Sequence, residues 1–120
     1  MGRGVDSRIA LQGLFRKNAG MFIHHVYFWL RSDAPATAKG QLSADCRSLL
    51  AKIPNVEHLW AGAPAMTPRE VVDNTYAIGL AVVLPDRAAH DVYQSHPLHL
   101  EFIARNKANW ERVRVFDFEG

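Results

Sequence analysis

The segment YQSHPLHLEF, at positions 93–102, concentrates proton-transferring side chains in ten residues. His96 and His99 lie three residues apart with Pro97 between them, and Tyr93 precedes them. Histidine titrates near neutral pH and can serve as a general base. A tyrosine hydroxyl can donate a hydrogen bond to a developing enolate oxygen. His99 and Tyr93 are therefore the candidate catalytic pair, for proton abstraction next to a carbonyl group.

A ligand pocket around this pair is expected to be mostly apolar, with a few polar groups converging on it. Residues 22–30, FIHHVYFWL, are predicted to form a strand that brings His25 into the space between helices and sheet. Such a pocket would suit a small hydrophobic or aromatic molecule. The predicted ligand-binding residues are His25, Tyr27, Trp29, His96 and Phe102.

The same segment also has a purely structural interpretation. Proline is well tolerated in the first turn of a helix, because its missing N–H has no partner there. Ser95 or His96 would then cap a helix that begins at Pro97. His99 would pack inside, and Tyr93 would bury its ring while its hydroxyl stays hydrated. Both interpretations stay open at this point.

The sequence predicts no metal site and no cofactor. His24 and His25 are adjacent on the predicted strand, so they point to opposite faces and cannot form a paired ligand set. The chain has no HExxH motif and no cysteine cluster. Its one cysteine, Cys46, falls on the apolar stripe of a predicted helix and is expected to be a small core residue.

The elements that must position these residues follow from hydrophobic periodicity. After the first strand, SDAP at 32–35 predicts a helix start capped by Ser32 or Asp33. The apolar stripe of that helix predicts a buried face, and Pro54 with Asn55 ends it. Further strands are predicted at 56–62, 75–84 and 112–118, with helices from Pro85–Asp86 through Tyr93 and from Pro97 to about Asn109. The stripe consists of Leu42, Cys46, Leu49, Leu50 and Ile53.

The predicted order, β-α-β-β-α-β, is that of an α+β, ferredoxin-like protomer with an antiparallel sheet and its helices on one face. The first and third strands are nevertheless apolar on both faces. A sheet of that kind has both faces covered. We therefore predict a homodimer in which two copies stack sheet on sheet.

Charge and composition exclude several classes of partner. The net charge is +2, but residues 1–20 hold four basic residues and one acidic residue, so residues 21–120 carry a net charge of −1. A nearly neutral domain argues against nucleic-acid binding. No apolar run is long enough to span a membrane, and a single cysteine fits a reduced cytoplasmic location. Residues 1–20 are interpreted as a leader or flexible extension, and Met21 as a possible natural start.

Four segments give the chain a family resemblance over residues 21–118: FIHHVYFWL, KIPNVEHLWAG, YQSHPLHLEF and RVRVFDF. The chain resembles the stress-responsive dimeric α+β barrel domain family, and HPxHxxF at 96–102 is the most specific part. His25 also matches a position that is commonly histidine in that family. The resemblance implies a ferredoxin-like protomer and a dimer built by packing two sheets into a barrel.

The resemblance leaves three functions open. One similar member is a cyclase that closes a linear polyketide, and its tyrosine and second motif histidine match Tyr93 and His99. Its histidine on the third strand corresponds to Ile78 here, so that polar group is missing. The expectations are a ligand-binding homodimer with no assigned reaction, a cofactor-free cyclase or isomerase-like lyase, and a non-catalytic structural stress protein.

Overall fold

The computed structural model describes residues 20–120, so the predicted leader lies almost wholly outside the described residues. Within these residues, a four-stranded antiparallel sheet carries three α-helices and two short 3-10 turns, which confirms the predicted α+β ferredoxin-like protomer. In chain order the elements are β1 (Phe22–Leu30), α1 (Ala38–Ser48), a 3-10 turn (Leu50–Lys52), β2 (His58–Gly62), β3 (Ile78–Leu84), α2 (Arg87–Ser95), α3 (Pro97–Asn106), a 3-10 turn (Lys107–Asn109) and β4 (Trp110–Glu119).

The strands lie in the order β2-β3-β1-β4, so β1 is a central strand with β3 on one side and β4 on the other. Residues alternate between the two faces of β1, and every second residue from Phe22 to Phe28 is buried under the helices. We call this side of the sheet the helix face. The opposite side, which carries His25, Tyr27 and Trp29, is the open face.

The core lies between the helix face and the helices. Four of the five predicted stripe residues are buried: Leu42, Cys46, Leu50 and Ile53. Leu49, the fifth, is half-buried against the same core. The alternation predicted for β3 is also present, since Ile78, Leu80, Val82 and Leu84 are all buried.

The predicted start of the first helix is wrong. α1 begins at Ala38, after Thr37, rather than at Ser32 or Asp33. Asp33 does not cap the helix, and its carboxylate instead accepts two hydrogen bonds from Arg31, at 2.9 and 2.8 Å. Pro35 accordingly lies in a turn before the helix. β2 and β3 are also shorter at their starts than predicted, since the strands begin at His58 and Ile78.

Two side-chain caps position the catalytic candidates. Asp86 caps α2 by accepting a hydrogen bond from the backbone N–H of Ala89 at 2.8 Å. His96 caps α3, because its Nδ1 accepts from the backbone N–H of Leu98 at 3.1 Å, and Pro97 occupies the first turn. The break between α2 and α3 therefore lies between Tyr93 and His99, as the sequence predicted.

A buried polar network holds α3 against α1. The Asp45 carboxylate accepts hydrogen bonds from Arg105 Nε at 2.7 Å and from Asn106 Nδ2 at 3.0 Å. Asp45 is 5% exposed, so these donors satisfy a carboxylate that would otherwise be costly to bury. The network fixes the position of the helix that carries His99.

Within residues 20–120, none of the helices has both the length and the apolar character needed to cross a membrane.

Candidate functional site

The structure brings the candidate pair together on the helix face. The rings of Tyr93 and His99 lie with centroids 4.9 Å apart in an edge-on arrangement. Tyr93 is fully buried and His99 is 8% exposed. Tyr93 reaches this position from the last turn of α2, and His99 from the first turn of α3. The cap between the two helices thus sets their mutual geometry.

Both residues line a cavity of about 140 Å³ between the sheet and helices α2 and α3. We call it the helix-side cavity. It reaches the surface beside Val113 and Val115 of β4, which line it and are 39% and 49% exposed. Most of its wall is apolar, and its apolar residues include Val26, Phe28, Leu80, Phe102 and Ile103.

Three residues that line this cavity carry a buried polar atom without a partner. The atoms are Tyr93 Oη, His99 Nδ1 and Trp110 Nε1, and none has a hydrogen bond within residues 20–120. Leaving a buried donor or acceptor unpaired costs about 1–3 kcal/mol, so such groups are rare in folded proteins. Three such residues among those described therefore line a single cavity.

Burial sets the protonation states of the pair. Desolvation, together with the neighbouring His24 and His90, lowers the pKa of His99 to about 4. Desolvation also raises the pKa of Tyr93. At neutral pH the imidazole is therefore neutral and the phenol keeps its proton. The site accordingly holds the uncharged His99 imidazole, which can accept or donate a hydrogen bond, beside the uncharged Tyr93 hydroxyl, which can donate one.

The prediction that His25 shares this cavity is wrong. Strand alternation turns His25 to the open face and places His24 on the helix face, where it is 3% exposed. The His24 ring lies 5.6 Å from the Tyr93 ring, and His24 lines the helix-side cavity. The error was one of register, since the sequence shows two adjacent histidines and either could have faced the helices.

His25, Tyr27 and Trp29 line a different and larger space on the open face, of about 400 Å³. We call it the open-face cleft. Arg112 and Arg114 of β4 also line it, and the Arg112 guanidinium stacks 4.5 Å over the Trp29 ring. These three predicted ligand-binding residues are therefore grouped together, but on the opposite side of the sheet from Tyr93 and His99.

The remaining two predicted ligand-binding residues, Phe102 and His96, do not share a site. Phe102 is 2% exposed, lines the helix-side cavity and contacts the rings of Phe28 and Trp110. His96 does not line that cavity, and its Nδ1 is engaged in capping α3. The structural interpretation of His96 therefore accounts for its contacts.

Sequence reasoning missed Trp110 and Gln94, which also line the helix-side cavity. Trp110 lies at the junction where α3 gives way to β4, and its ring packs 4.9 Å from Phe28. A buried tryptophan needs a partner for its indole N–H, which is the signal that could have marked it. Gln94 neighbours Tyr93 in sequence, but nothing in the pattern distinguishes it from a solvent-exposed glutamine.

A second polar cluster lies beside the cavity. His24 of β1 and Asp117 of β4 are directly opposite each other in the sheet, and His24 Nδ1 lies 2.6 Å from Asp117 Oδ1. His90 of α2 approaches the same carboxylate, with Nε2 4.0 Å from Asp117 Oδ2. The sequence pattern gave no sign of this cluster because strand pairing and helix packing create it.

The fold and the cavity together define a class: a ferredoxin-like α+β protein with an apolar cavity between its sheet and helices. The chain belongs to the stress-responsive A/B barrel domain family, or Dabb, whose sequence profile matches residues 22–120. The predicted resemblance to that family is thus confirmed.

Solved structures of this type share the fold over nearly their whole length. A Dabb family protein with a ferredoxin-like fold from Mesorhizobium loti is 26% identical, with 82% of this chain and 95% of that chain covered and a TM-score of 0.67. A dimeric ferredoxin-like protein of unknown function from Bacteroides fragilis is 27% identical, with 84% and 97% covered and a TM-score of 0.69.

A hydroxynitrile lyase from Passiflora edulis is 16% identical, with 84% of this chain and 94% of that chain covered and a TM-score of 0.70. At that identity the similarity shows a common fold and nothing about the reaction. No curated protein matches the sequence.

Proposed function

We propose that the protein is a homodimer that binds a small aromatic molecule carrying a carbonyl or hydroxyl group in the helix-side cavity. The observation that carries the proposal is the set of three unpartnered polar atoms on residues lining one apolar cavity. Such a ligand would bury its ring against apolar side chains and would pair its oxygen with Tyr93 Oη, Trp110 Nε1 or His99.

The size of the cavity limits the ligand. A volume of about 140 Å³ is close to that of engineered cavities of about 150 Å³ that bind benzene. A single substituted ring therefore fits, and a larger ligand would have to extend through the mouth beside Val113 and Val115. The uncharged state of the His99 imidazole favours a neutral ligand over a carboxylate.

The open face supports the homodimer. Three large apolar side chains on this face are 50–60% exposed in the isolated protomer: Trp60, Phe116 and Phe118. An exposed apolar patch of this extent is typical of an interface. The Bacteroides fragilis relative is dimeric, and a second copy stacked on the open face would cover the patch. The open-face cleft would then lie within the dimer interface.

A cytoplasmic location fits the proposed role. Cys46 is buried in the core, and burial raises the pKa of its thiol to about 12. A thiol in that state is neither a good nucleophile nor readily oxidised, so the chain has no cysteine suited to a disulfide with a second copy.

The test is a thermal-shift titration of the full chain with phenol and acetophenone, an aromatic alcohol and an aromatic ketone. A ligand that binds only the folded state raises the melting temperature by an amount that grows with the logarithm of its concentration relative to Kd. Tyr93→Phe should weaken the binding of either probe about 10-fold, the loss expected for one hydrogen bond to a buried group. Trp29→Phe, on the open face, should leave binding unchanged.

Two outcomes would contradict the proposal. If neither probe raises the melting temperature of the wild-type chain, the structural role of a stress protein without a ligand is favoured. If Trp29→Phe weakens binding and Tyr93→Phe does not, the ligand site is the open-face cleft.

The pairing of a neutral imidazole with a protonated phenol favours a second candidate, a cofactor-free enzyme acting next to a carbonyl. His99 would take the proton, and Tyr93 would stabilise the enolate oxygen. Hydrogen–deuterium exchange at the methyl group of acetophenone measures that step directly. His99→Gln should abolish catalysed exchange while the chain stays folded, and exchange no faster than in buffer would reject an enzymatic role toward this ketone.

A further inference from the structure

We propose that His24, His90 and Asp117 form a binding site for one divalent first-row transition-metal ion, of the zinc type. The ligand atoms of the three side chains all lie within 4.8 Å of one another. They come from three elements: His24 from β1, Asp117 from β4 and His90 from α2. The fold therefore assembles the set.

The donor set suits zinc chemically. Two imidazole nitrogens and one carboxylate oxygen are a common three-ligand set, and a tetrahedral ion leaves one position for water or another ligand. Zn–N and Zn–O bonds of about 2.0–2.2 Å place tetrahedral ligand atoms about 3.4 Å apart. The observed separations from the carboxylate, 2.6 Å to His24 and 4.0 Å to His90, lie on either side of that value.

Small movements would close the site. Asp117 is the most exposed of the three side chains, at 35%, so its carboxylate can rotate to share its two oxygens differently. The two imidazoles are already held in place, with ring centroids 5.1 Å apart. His90 is fixed further by stacking on Phe22, at 4.3 Å between ring centroids. Changes of less than about 1 Å in the distances between the ligand atoms would give the spacing that zinc requires.

The surroundings of His90 provide a second, independent observation. Its Nδ1 lies 3.4 Å from the Asp91 carboxylate, while its Nε2 faces Asp117. A metal-bound histidine usually donates its other ring N–H to a carboxylate, which fixes the ring and raises its basicity. Asp91 is placed to act in this way.

Gln94 is a further polar side chain that contacts both imidazoles. Its Nε2 lies 3.2 Å from His90 Nε2 and 3.5 Å from His24 Nε2. The nitrogen and oxygen of a glutamine amide exchange places by a simple rotation. After that rotation the amide oxygen would accept from His24 Nε2–H or would supply a fourth ligand to the ion.

An open cleft of about 410 Å³ leads to the site. The charged side chains that line it are Arg87, Asp91, Asp117 and Glu119, so carboxylates outnumber the arginine by three to one. Arg87 and Glu119 form a loose ion pair, 3.9 Å apart, at the exposed rim. The excess of negative charge favours entry of a cation.

The experiment is calorimetric titration of the chelator-treated full chain with Zn²⁺, together with visible absorption after loading with Co²⁺. We expect one ion per chain and Co²⁺ bands of tetrahedral intensity. His90→Ala should weaken Zn²⁺ binding by more than about 100-fold, which exceeds the usual effect of losing an outer-shell partner. Asp117→Asn should also weaken Zn²⁺ binding.

The matched control is His58→Ala, which removes an exposed histidine on β2 that stacks on Trp60. It should bind Zn²⁺ as the wild type does. Circular dichroism checks that each variant folds, and His90→Gln replaces His90→Ala if the alanine variant does not. The proposal is overturned if the wild type shows no saturable binding, or if the folded His90 variant binds as tightly as the wild type.

Discussion

The two faces of the sheet differ in what covers them and in what their polar side chains do. On the helix face, a cavity of about 140 Å³ is lined by three residues that each carry a buried polar atom with no hydrogen-bond partner in the described part of the chain. On the open face, aromatic side chains and two arginines line a cleft of about 400 Å³ and contact one another. The first arrangement suits a small ligand, and the second suits a second copy of the chain.

The adjacent pair His24 and His25 shows how sharply the faces are separated. One residue of β1 hydrogen-bonds Asp117 and touches the ring of Tyr93, and the next packs edge-on against Tyr27 and Phe118. Gly79 allows the open face to be packed this closely, since a Cβ there would lie 3.2 Å from the Tyr76 ring. Identical side chains therefore acquire different roles from strand register alone.

The largest effect is expected from a charge on the open face. Phe116→Asp would bury a carboxylate in the proposed dimer interface, which is strongly unfavourable without a partner, so the chain should become a monomer. Leu100→Asp is the matched control, because Leu100 is 55% exposed on the outside of α3. Size-exclusion chromatography with light scattering measures both, and a dimeric Phe116→Asp variant would show that the open face is not the interface.

A cavity-lining substitution should have the next largest effect. Phe102→Ala removes a ring that is 2% exposed and should lower the free energy of unfolding by about 3–5 kcal/mol. Trp60→Ala on the open face, made in the monomeric Phe116→Asp variant, should lower the free energy of unfolding by only about 0.5 kcal/mol. Trp60 is already 60% exposed in the protomer. Urea denaturation compares the two. Equal losses would mean that the open face is already packed within one chain.

A smaller effect should appear in the pH dependence of stability. Unfolded His99 takes up a proton below its ordinary pKa of 6.5, whereas folded His99 does so only near pH 4. The unfolded state binds more protons in that window, so stability falls as the pH drops through it and then levels off. The wild type should lose about 3 kcal/mol more than His99→Gln between about pH 7 and about pH 4. Parallel profiles from urea denaturation would contradict a buried, neutral His99.

Much of the fold was predictable because its signals are local. The β1 strand, the stripe from Leu42 to Ile53 and the helix restart at Pro97 all follow from periodicity and capping chemistry within a few residues. The start of α1 was not predictable. Asp33 has a side chain suited to capping a helix, but it accepts hydrogen bonds from Arg31, two residues earlier. The sequence does not show whether Asp33 pairs with Arg31 or caps a helix.

The candidate site was less predictable because it depends on long-range register. Tyr93 and His99 are six residues apart, so helix geometry and one proline were enough to associate them. Choosing His24 over His25 required knowing which face of β1 meets the helices. Pairing His24 with Asp117 required the register of β1 on β4, and these residues are 93 positions apart in the chain. No local pattern carries that information.

The indole N–H signals of the three tryptophans can show on which face of the sheet a ligand binds. Among residues 20–120, Trp110 Nε1 is buried beside the helix-side cavity without a hydrogen-bond partner, and Trp29 Nε1 donates to Thr75 Oγ1 at 2.8 Å. Trp60 lies on the open face and is exposed in the isolated protomer. In a proton–nitrogen correlation spectrum of the dimer titrated with acetophenone, the Trp110 signal should move while the other two stay fixed. Movement of the Trp29 or Trp60 signal with a stationary Trp110 signal would place the ligand on the open face and contradict binding in the helix-side cavity.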